Sequence, residues 1–421
     1  MQNERIVCEL CVISHSIFGA ARAVHFTLFR LMQFSEIIGH DETKQMLLRA
    51  VRTNHLAHAL LFDGPPGSAN LALALALAQY VNCEDKERSG VPGTDHLRSG
   101  DSNDDACGRC ASCVKIQKFV HPDLHMVFPV ANLAKGKTSE AYLADWRKFL
   151  LEQPYRTLSE WLETVGADNK QGNISAEEAR NILQTLSLKA YEGAYKIMLI
   201  WLPELMNVVS ANALLKVLEE PPAQTLFLLV TNQSDKLLIT ILSRTQRVAV
   251  RAFTDEEVAT HLRQHLNFDE TTARRVAYLA DGNLSVGLTL GRQEDGGVSA
   301  SGQHTWFAEW MRSCYRQDLP GLVKQADQFD GFSKEKQKGL LDYSIRLCRD
   351  LFLWQQGAGA LLRLPDDELA FVKNFSKVLT IHHLEHIVAD LNESVYHLER
   401  NARAKMIMLD MSLIFSRLIR T

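Results

Sequence analysis

The sequence predicts an α/β protein: a parallel sheet with helices on its faces, then a small helical unit and a larger all-helical domain. Three observations carry that prediction. Between residues 57 and 232, apolar runs of strand length alternate with helix-length segments, the order that builds parallel sheets. The first of these runs ends in Gly64-Pro65-Pro66-Gly67-Ser68 and passes directly into an Ala/Leu-rich helix. Beyond about Arg251 the strand signal stops and helical spacing takes over.

Each element has its own reason. Residues 41–54 place apolar side chains at helical spacing, and HALLFDG (57–63) is a short apolar strand closed by a turn. LALALALAQYV is too rich in Ala and Leu for a strand and reads as a buried helix. Residues 84–106 are rich in Gly, Ser and Asp and read as a flexible insertion. HPDLHMVFPV (121–130) contains a second strand, and 132–171 is a polar, inserted helical element with aromatic anchors at Trp146, Tyr155 and Trp161. A helix over 175–187, the strand 195–202, a helix over 210–220 stopped by Pro221-Pro222, and the strand 225–232 complete the sheet region. From Thr254 to Arg292 the pattern is helical with a break at Gly282, and from about 303 to the end it is helical with breaks near 329–333 and 356–366. The expected domains are therefore an extension at 1–31, an α/β core at 32–251, a helical lid at 252–298 and a helical collar at 299–421.

Composition narrows the function classes. A chain of 421 residues holds two to four domains, and 46% hydrophobic with 23% charged residues excludes wholesale disorder. With 46 basic against 50 acidic residues and a net charge of −4, a chain that grips DNA unaided is not expected. No apolar run approaches the ~18 residues of a membrane span, so a soluble, cytoplasmic protein is expected. Residues 6–18 are fairly apolar, but Glu9 falls where a signal peptide needs its hydrophobic centre. Met32 opens a much more regular pattern, and 1–31 is read as a dispensable extension or an over-long start.

Strand, Gly-Pro-Pro-Gly, helix is the layout of a phosphate-binding loop, whose backbone N–H groups cradle phosphates. The working pattern G-x-x-x-x-G-K-[ST], aligned on Gly64 and passing Gly67, puts Ala69 at the second glycine, Asn70 at the lysine and Leu71 at the metal-binding hydroxyl. Asn70 has no positive charge and Leu71 no oxygen. The strand 195–202 should end in paired acids for Mg²⁺ and water, yet it ends in Trp201-Leu202. All four groups are missing together, so GPPGS is read as a strand-to-helix turn without ATP hydrolysis.

Cys107-x₂-Cys110-x₂-Cys113 places three thiols in a tight loop, and Cys83 closes the helix before it. Four thiolates make a closed tetrahedral Zn²⁺ site with no position left for catalysis. The 23 residues between Cys83 and Cys107 can be looped out, since closure entropy grows only as about (3/2)RT ln n. Cys8-x₂-Cys11 lacks a second pair and is read as incidental, while Cys314 and Cys348 sit on helical segments as buried hydrophobes.

GPPG after a strand, SANALLKVLEEPP (210–222), TLFLLVTN (225–232) and ILSRTQR (241–247) closely resemble the bacterial clamp-loader AAA+ family. The likeness runs from about Met32 to Arg251, and the dead phosphate loop places it with the non-motor branch rather than the gamma/tau motor. The resemblance implies an AAA+ core carrying a four-cysteine zinc module, a lid and a collar. It also implies that Arg244, within Ser243-Arg244-Thr245, acts in trans as an arginine finger on a neighbouring subunit's ATP, where a guanidinium stabilises charge on the moving phosphoryl group. Thr245 stands where the family has cysteine. Gly282-Asn283-Leu284-Ser285 matches a lid segment but has Ser285 at the nucleotide-sensing arginine. The implied partners are gamma/tau and delta subunits in a hetero-oligomer of the DNA polymerase III holoenzyme, with the sliding clamp and primed DNA reached through the complex. The implied cofactor is structural Zn²⁺, with no productive ATP binding by this chain.

Other candidates carry blander readings. His121-Pro122-Asp123 is expected to form a turn. His382, His383 and His386 lack acidic or thiol companions for a metal, and the basic stretch 400–405 is expected to be a solvated helix face. Trp306, Phe307 and Trp310 are expected in a core or an oligomer seam. Three rival functions remain at this stage: a gamma/tau-like ATPase, against which Asn70, Leu71, Trp201 and Leu202 argue, a zinc-dependent nucleic-acid-binding repair protein, against which the net charge argues, and a stand-alone AAA+ scaffold, which would form a homo-oligomer indifferent to clamp-loader partners.

Overall fold

The computed structural model describes residues 33–85, 105–131, 138–167, 170–294, 301–332, 334–362, 364, 366–400 and 402–419. The extension expected at 1–31, with Cys8 and Cys11, and most of the insertion expected at 84–106 lie outside the described residues. The sheet region runs α1 (Asp41–Arg52), β1 (Ala59–Asp63), α2 (Asn70–Val81), α3 (Ala111–Gln117), β2 (Leu124–Val127), α4 (Leu143–Glu152), α5 (Leu158–Thr164), α6 (Ala176–Ser187), β3 (Lys196–Trp201), α7 (Val208–Glu219), β4 (Thr225–Thr231), α8 (Ile239–Leu242) and β5 (Gln246–Ala249). Then come α9 (Asp255–Leu266), α10 (Glu270–Ala280) and α11 (Leu284–Glu294), followed by α12 (Ser301–Arg316), α13 (Leu319–Asp330), α14 (Lys334–Gln355), α15 (Asp366–Phe375), α16 (Ile381–Glu399) and α17 (Ala404–Leu418).

The five strands form one parallel sheet in the order β2-β3-β4-β1-β5, the parallel α/β sheet that the sequence led us to expect. Successive side chains on a strand point to opposite faces, and here both faces are buried. Leu60, Phe62, Ile197, Leu199, Trp201, Leu226, Leu228 and Val230 pack on one side with α2. Ala59, Leu61, Met198, Ile200, Phe227 and Leu229 pack on the other with α6 and α7. Every residue of α2 is buried, which is why its sequence is apolar all round rather than striped.

The three helices α9–α11 share the apolar cluster of the α2 face, through Val258, Leu262, Ala273, Val276, Leu284 and Leu288. Thr254 and Glu257 start α9 with a reciprocal capping box, which fixes where the chain leaves the sheet. Helices α12–α17 build a separate cluster around Phe307, Trp310, Cys314, Cys348, Leu391 and Phe415, so the expected core roles of Phe307, Trp310, Cys314 and Cys348 hold, with Trp306 packed at its edge. Polar contacts among the described residues join the two helical units: the Tyr278 hydroxyl donates to Asp350 Oδ1 at 2.9 Å, and Arg346 donates to the Leu279 carbonyl.

Three details differ from expectation. Strand β5 was not anticipated, because at an edge only Val248 of its four residues is buried and no alternation survives. Helix α7 starts at Val208, since Asn207 caps it by accepting from the Ser210 amide at 2.8 Å. The C-terminal region is also interrupted after Arg316, Phe375 and Glu399.

Candidate functional site

The chemistry of the phosphate loop depends on what fills it. Gly67 takes φ +74°, and a Cβ there would meet Asn283 Oδ1 at 1.8 Å, so the side chain at the start of α11 lies on the loop itself. The Leu284 amide donates to the Gly67 carbonyl at 3.1 Å. Asn70 is buried; its amide donates to the Gly64 carbonyl (3.3 Å), the Thr231 carbonyl (3.2 Å) and Asn232 Oδ1 (2.9 Å). Leu71 is buried apolar packing. An open cleft beside the loop is lined by Gly39, His40, Asp63, Gly64, Arg247, Arg251 and Glu257, and both arginines are matched by carboxylates: Arg247 to Asp63 at 2.6 Å, Arg251 to Glu257 at 2.6 Å.

Trp201 and Leu202 are 2% exposed and belong to the core. Trp201 joins a cluster with Trp146 (ring centroids 4.9 Å apart) and Phe149 (6.4 Å), and Trp146 packs in turn on Phe128 (4.3 Å) and Trp161 (5.0 Å). The aromatic anchors of the insertion thus pack on the strand end where paired acids were sought, and the cluster adds edge and stacking contacts to its buried area. Residues 132–137 and 168–169 of that insertion lie outside the described residues.

One carboxylate near this strand end escaped the sequence reading. Glu204, on a single turn two residues past Leu202, accepts the Thr231 hydroxyl at 2.8 Å and the Asn232 amide at 3.0 Å. Burial pushes its carboxyl above the usual range, while those hydrogen bonds oppose the shift. Asn70, Asn232 and Glu204 therefore form a continuous brace across the ends of β1, β3 and β4. The signal that could have found it is an Asn ending TLFLLVTN opposite an acid just past β3.

Ser285 is also fully buried. Its hydroxyl donates to the Glu160 carboxylate, at 2.9 and 2.8 Å from the two oxygens, and Gln153 Nε2 reaches it at 3.4 Å. Arg244 follows α8, and its side chain is 31% exposed. It donates to the Thr240 carbonyl (2.9 Å) and Ser243 Oγ (3.3 Å), and it pairs with Glu219 at the end of α7. Thr245 turns inward, its hydroxyl donating to the Ile241 carbonyl at 3.1 Å.

The structure brings Cys83, Cys107, Cys110 and Cys113 together, their sulfurs all within 4.8 Å of one another and those of Cys107 and Cys113 3.9 Å apart. A tetrahedron with Zn–S bonds of about 2.3 Å has edges of about 3.8 Å, so the four sulfurs fit such an ion. Backbone amides point at the sulfurs: Cys107 N to Cys83 Sγ (3.4 Å), Cys110 N to Cys107 Sγ (3.3 Å) and Cys113 N to Cys110 Sγ (3.4 Å). Burial pushes the Cys83 and Cys113 thiols up; at Cys107 burial is outweighed by amides and neighbouring thiols, which hold it at about 7.

His121-Pro122-Asp123 is structural, as expected. Asp123 accepts the amides of Tyr191, Glu192 and Gly193 at 2.6, 2.8 and 2.7 Å, stapling the loop before β3, and burial holds His121 below the usual imidazole range. His382 and His386 are exposed on α16, and His383 Nδ1 accepts the Thr380 amide as part of that helix's cap. Arg400 follows the end of α16 and Lys405 lies in the first turn of α17, so these basic residues do not share one helix face.

A family model described as DNA polymerase III, delta subunit, matches residues 39–254, just over half of the chain. DNA polymerase III subunit tau of Bacillus subtilis is 25% identical over 354 residues, 79% of this chain and 52% of its own length. DNA polymerase III subunit delta' of Yersinia pestis is 27% identical over 328 residues, 76% of this chain and 77% of its own, and delta' of Bacillus subtilis is 25% identical over 74% and 77%. The chain spans about half the length or less of the tau and tau/gamma proteins it matches. Among solved structures, a DNA polymerase III gamma subunit-related protein of Thermotoga maritima aligns over 90% of this chain at 14% identity and a TM-score of 0.33.

Proposed function

The chain belongs to the DNA polymerase III delta subunit family, and we propose that within it this protein is a delta-prime-like, non-hydrolysing subunit of a clamp-loader complex. The observation that carries the reading is the pairing of a phosphate loop closed by its own side chains with an arginine held at the surface. Asn70, Leu71, Trp201 and Leu202 supply none of the groups that bind Mg²⁺-ATP, and each is used in packing or in the brace. Arg244 stands at a strand-entry corner where a neighbouring subunit's nucleotide can be met, and Ser243 steadies its guanidinium. In this role the chain lends Arg244 to the ATP site of an adjacent gamma/tau subunit, works beside delta, and helps load the sliding clamp onto primed DNA.

The remaining parts follow from the same reading. Cys83, Cys107, Cys110 and Cys113 hold a structural Zn²⁺ that ties the tail of α2 to α3; such an ion supplies folding energy and no catalysis. Residues 32–251, 252–298 and 299–421 serve as core, lid and collar, with the collar joining the ring of subunits. No helix among the described residues is long and apolar enough to cross a membrane, which accords with a cytoplasmic replication complex. The test is DNA-stimulated ATPase of a complex reconstituted with cognate gamma/tau, delta and clamp. Arg244→Ala is expected to lower the rate by 10³-fold or more at the affected site, the range known for trans-acting arginines. A complex that assembles normally and hydrolyses ATP at the wild-type rate with Arg244→Ala would sink the trans-arginine role.

A further inference from the structure

We infer that the inserted helices α4 and α5 are a clasp that fixes the three-helix unit α9–α11 to the sheet, with Ser285 and Glu160 as its catch. The clasp goes beyond the assembly role above and does not depend on it. Its root is the aromatic cluster: Trp146, Phe149 and Trp161 pack on Trp201 and Phe128 of the sheet region, and the Trp161 indole donates to the Pro129 carbonyl at 2.8 Å. Its tip reaches across to α11. Glu160 accepts the Thr157 amide and hydroxyl at 2.7 and 2.8 Å, so the N-terminal cap of α5 aims the carboxylate before Ser285 meets it. Ser285 and Gln153 are each 1% exposed, so water is kept from the donor side of this charge-assisted hydrogen bond, while the Glu160 carboxylate is 25% exposed and lies 3.9 Å from Arg156 Nε.

Tyr155, in the turn between α4 and α5, adds apolar grip. It is buried edge-on against Phe253 (5.6 Å between centroids), which leads into α9, and against His261 on α9 (6.3 Å). The phosphate-type loop also holds the same first turn of α11, through Gly67, Asn283 and Leu284. The first turn of α11 is thus gripped between two parts of the core that lie far apart in sequence. The angle between α9–α11 and the sheet is set by the chain's own residues and needs no bound ligand.

Hydrogen exchange of the full-length chain tests the clasp, comparing wild type, Ser285→Ala, Glu160→Ala and the double variant, each with and without Mg²⁺-ATP. Each single variant is expected to speed exchange in α9–α11 by about tenfold or more relative to β1 and β4, the loss typical of a buried hydrogen bond to a charged group. The double variant should add little to either single one, because both remove the same interaction. Strictly additive effects, unchanged exchange in both single variants, or wild-type α9–α11 amides slowed by Mg²⁺-ATP would each overturn the inference. Should the variants fail to fold, spin labels on Arg274→Cys (α10) and Lys216→Cys (α7) report on the otherwise wild-type chain. One narrow distance distribution, indifferent to Mg²⁺-ATP, is expected; a broad or nucleotide-sharpened one refutes the clasp.

Discussion

Asn70 stands where a nucleotide-binding loop carries lysine, and its replacement separates a brace from an inert filler. In Asn70→Ala the Gly64 carbonyl and Asn232 Oδ1 lose a donor and the Leu71 amide loses its acceptor, whereas the Thr231 carbonyl keeps the Gly64 amide at 3.2 Å. Three lost partners at about 1 kcal/mol each give about 3 kcal/mol of destabilisation. For a cooperative unit the size of the sheet domain that lowers Tm by roughly 6–12 °C. Asn70→Lys should be at least as costly, because the ammonium would be buried with neutral oxygens and no phosphate. Mg²⁺-ATP should not rescue it, since Asn283 still lies on Gly67 and Trp201 still occupies the strand end. The assay is thermal and urea unfolding of both variants with and without Mg²⁺-ATP. Nucleotide at 100 times its Kd would add about 2.7 kcal/mol, a shift too large to miss. A silent Asn70→Ala, or an Asn70→Lys chain that nucleotide stabilises, would refute the reasoning.

Two further outcomes follow from the same structure. Titrating the purified chain with a thiol reagent is expected to release about one equivalent of Zn²⁺, with loss of Tm, and Cys113→Ser should purify without it; full stability after metal removal would count against a structural ion. Burial, helped by Arg251, holds His40 at about 4, and burial with His265 holds His261 at about 3. Both folded values lie below the unfolded value near 6.5, so below that pH the unfolded chain binds more protons and stability falls progressively toward pH 4. Urea midpoints at pH 7.5 and 5.0 should therefore differ in that direction, and His261→Leu, if it folds, should reduce the difference; a midpoint that rises on acidification would contradict the assignment.

The parts legible in the sequence are those whose signal is local. Strand-length apolar runs placed β1 to β4 because both faces of a parallel sheet are buried, and the C-x₂-C-x₂-C spacing placed three sulfurs before any fold was known. Strand β5 was illegible because an edge strand with one buried residue has no pattern to read. Trp201 could be read only as an acid that is missing, since its partners Trp146 and Phe149 approach across an insertion of unknown path. The Ser285–Glu160 pair spans 125 residues, and nothing in either neighbourhood points to the other. Glu204 was passed over because the expected acids belong on the strand itself, whereas it sits on the turn beyond.

The separation of the C-terminal cluster from the one that α9–α11 share with the sheet has a mechanical consequence. Helices α9–α11 share their buried surface with the sheet, whereas among the described residues they meet the C-terminal bundle through polar contacts such as Tyr278–Asp350 and Arg346–Leu279. Shared apolar burial resists bending far more than a pair of polar contacts does. Bending the bundle against that block is therefore expected to strain the Tyr278–Asp350 and Arg346–Leu279 contacts before it disturbs the packing of the sheet on α9–α11.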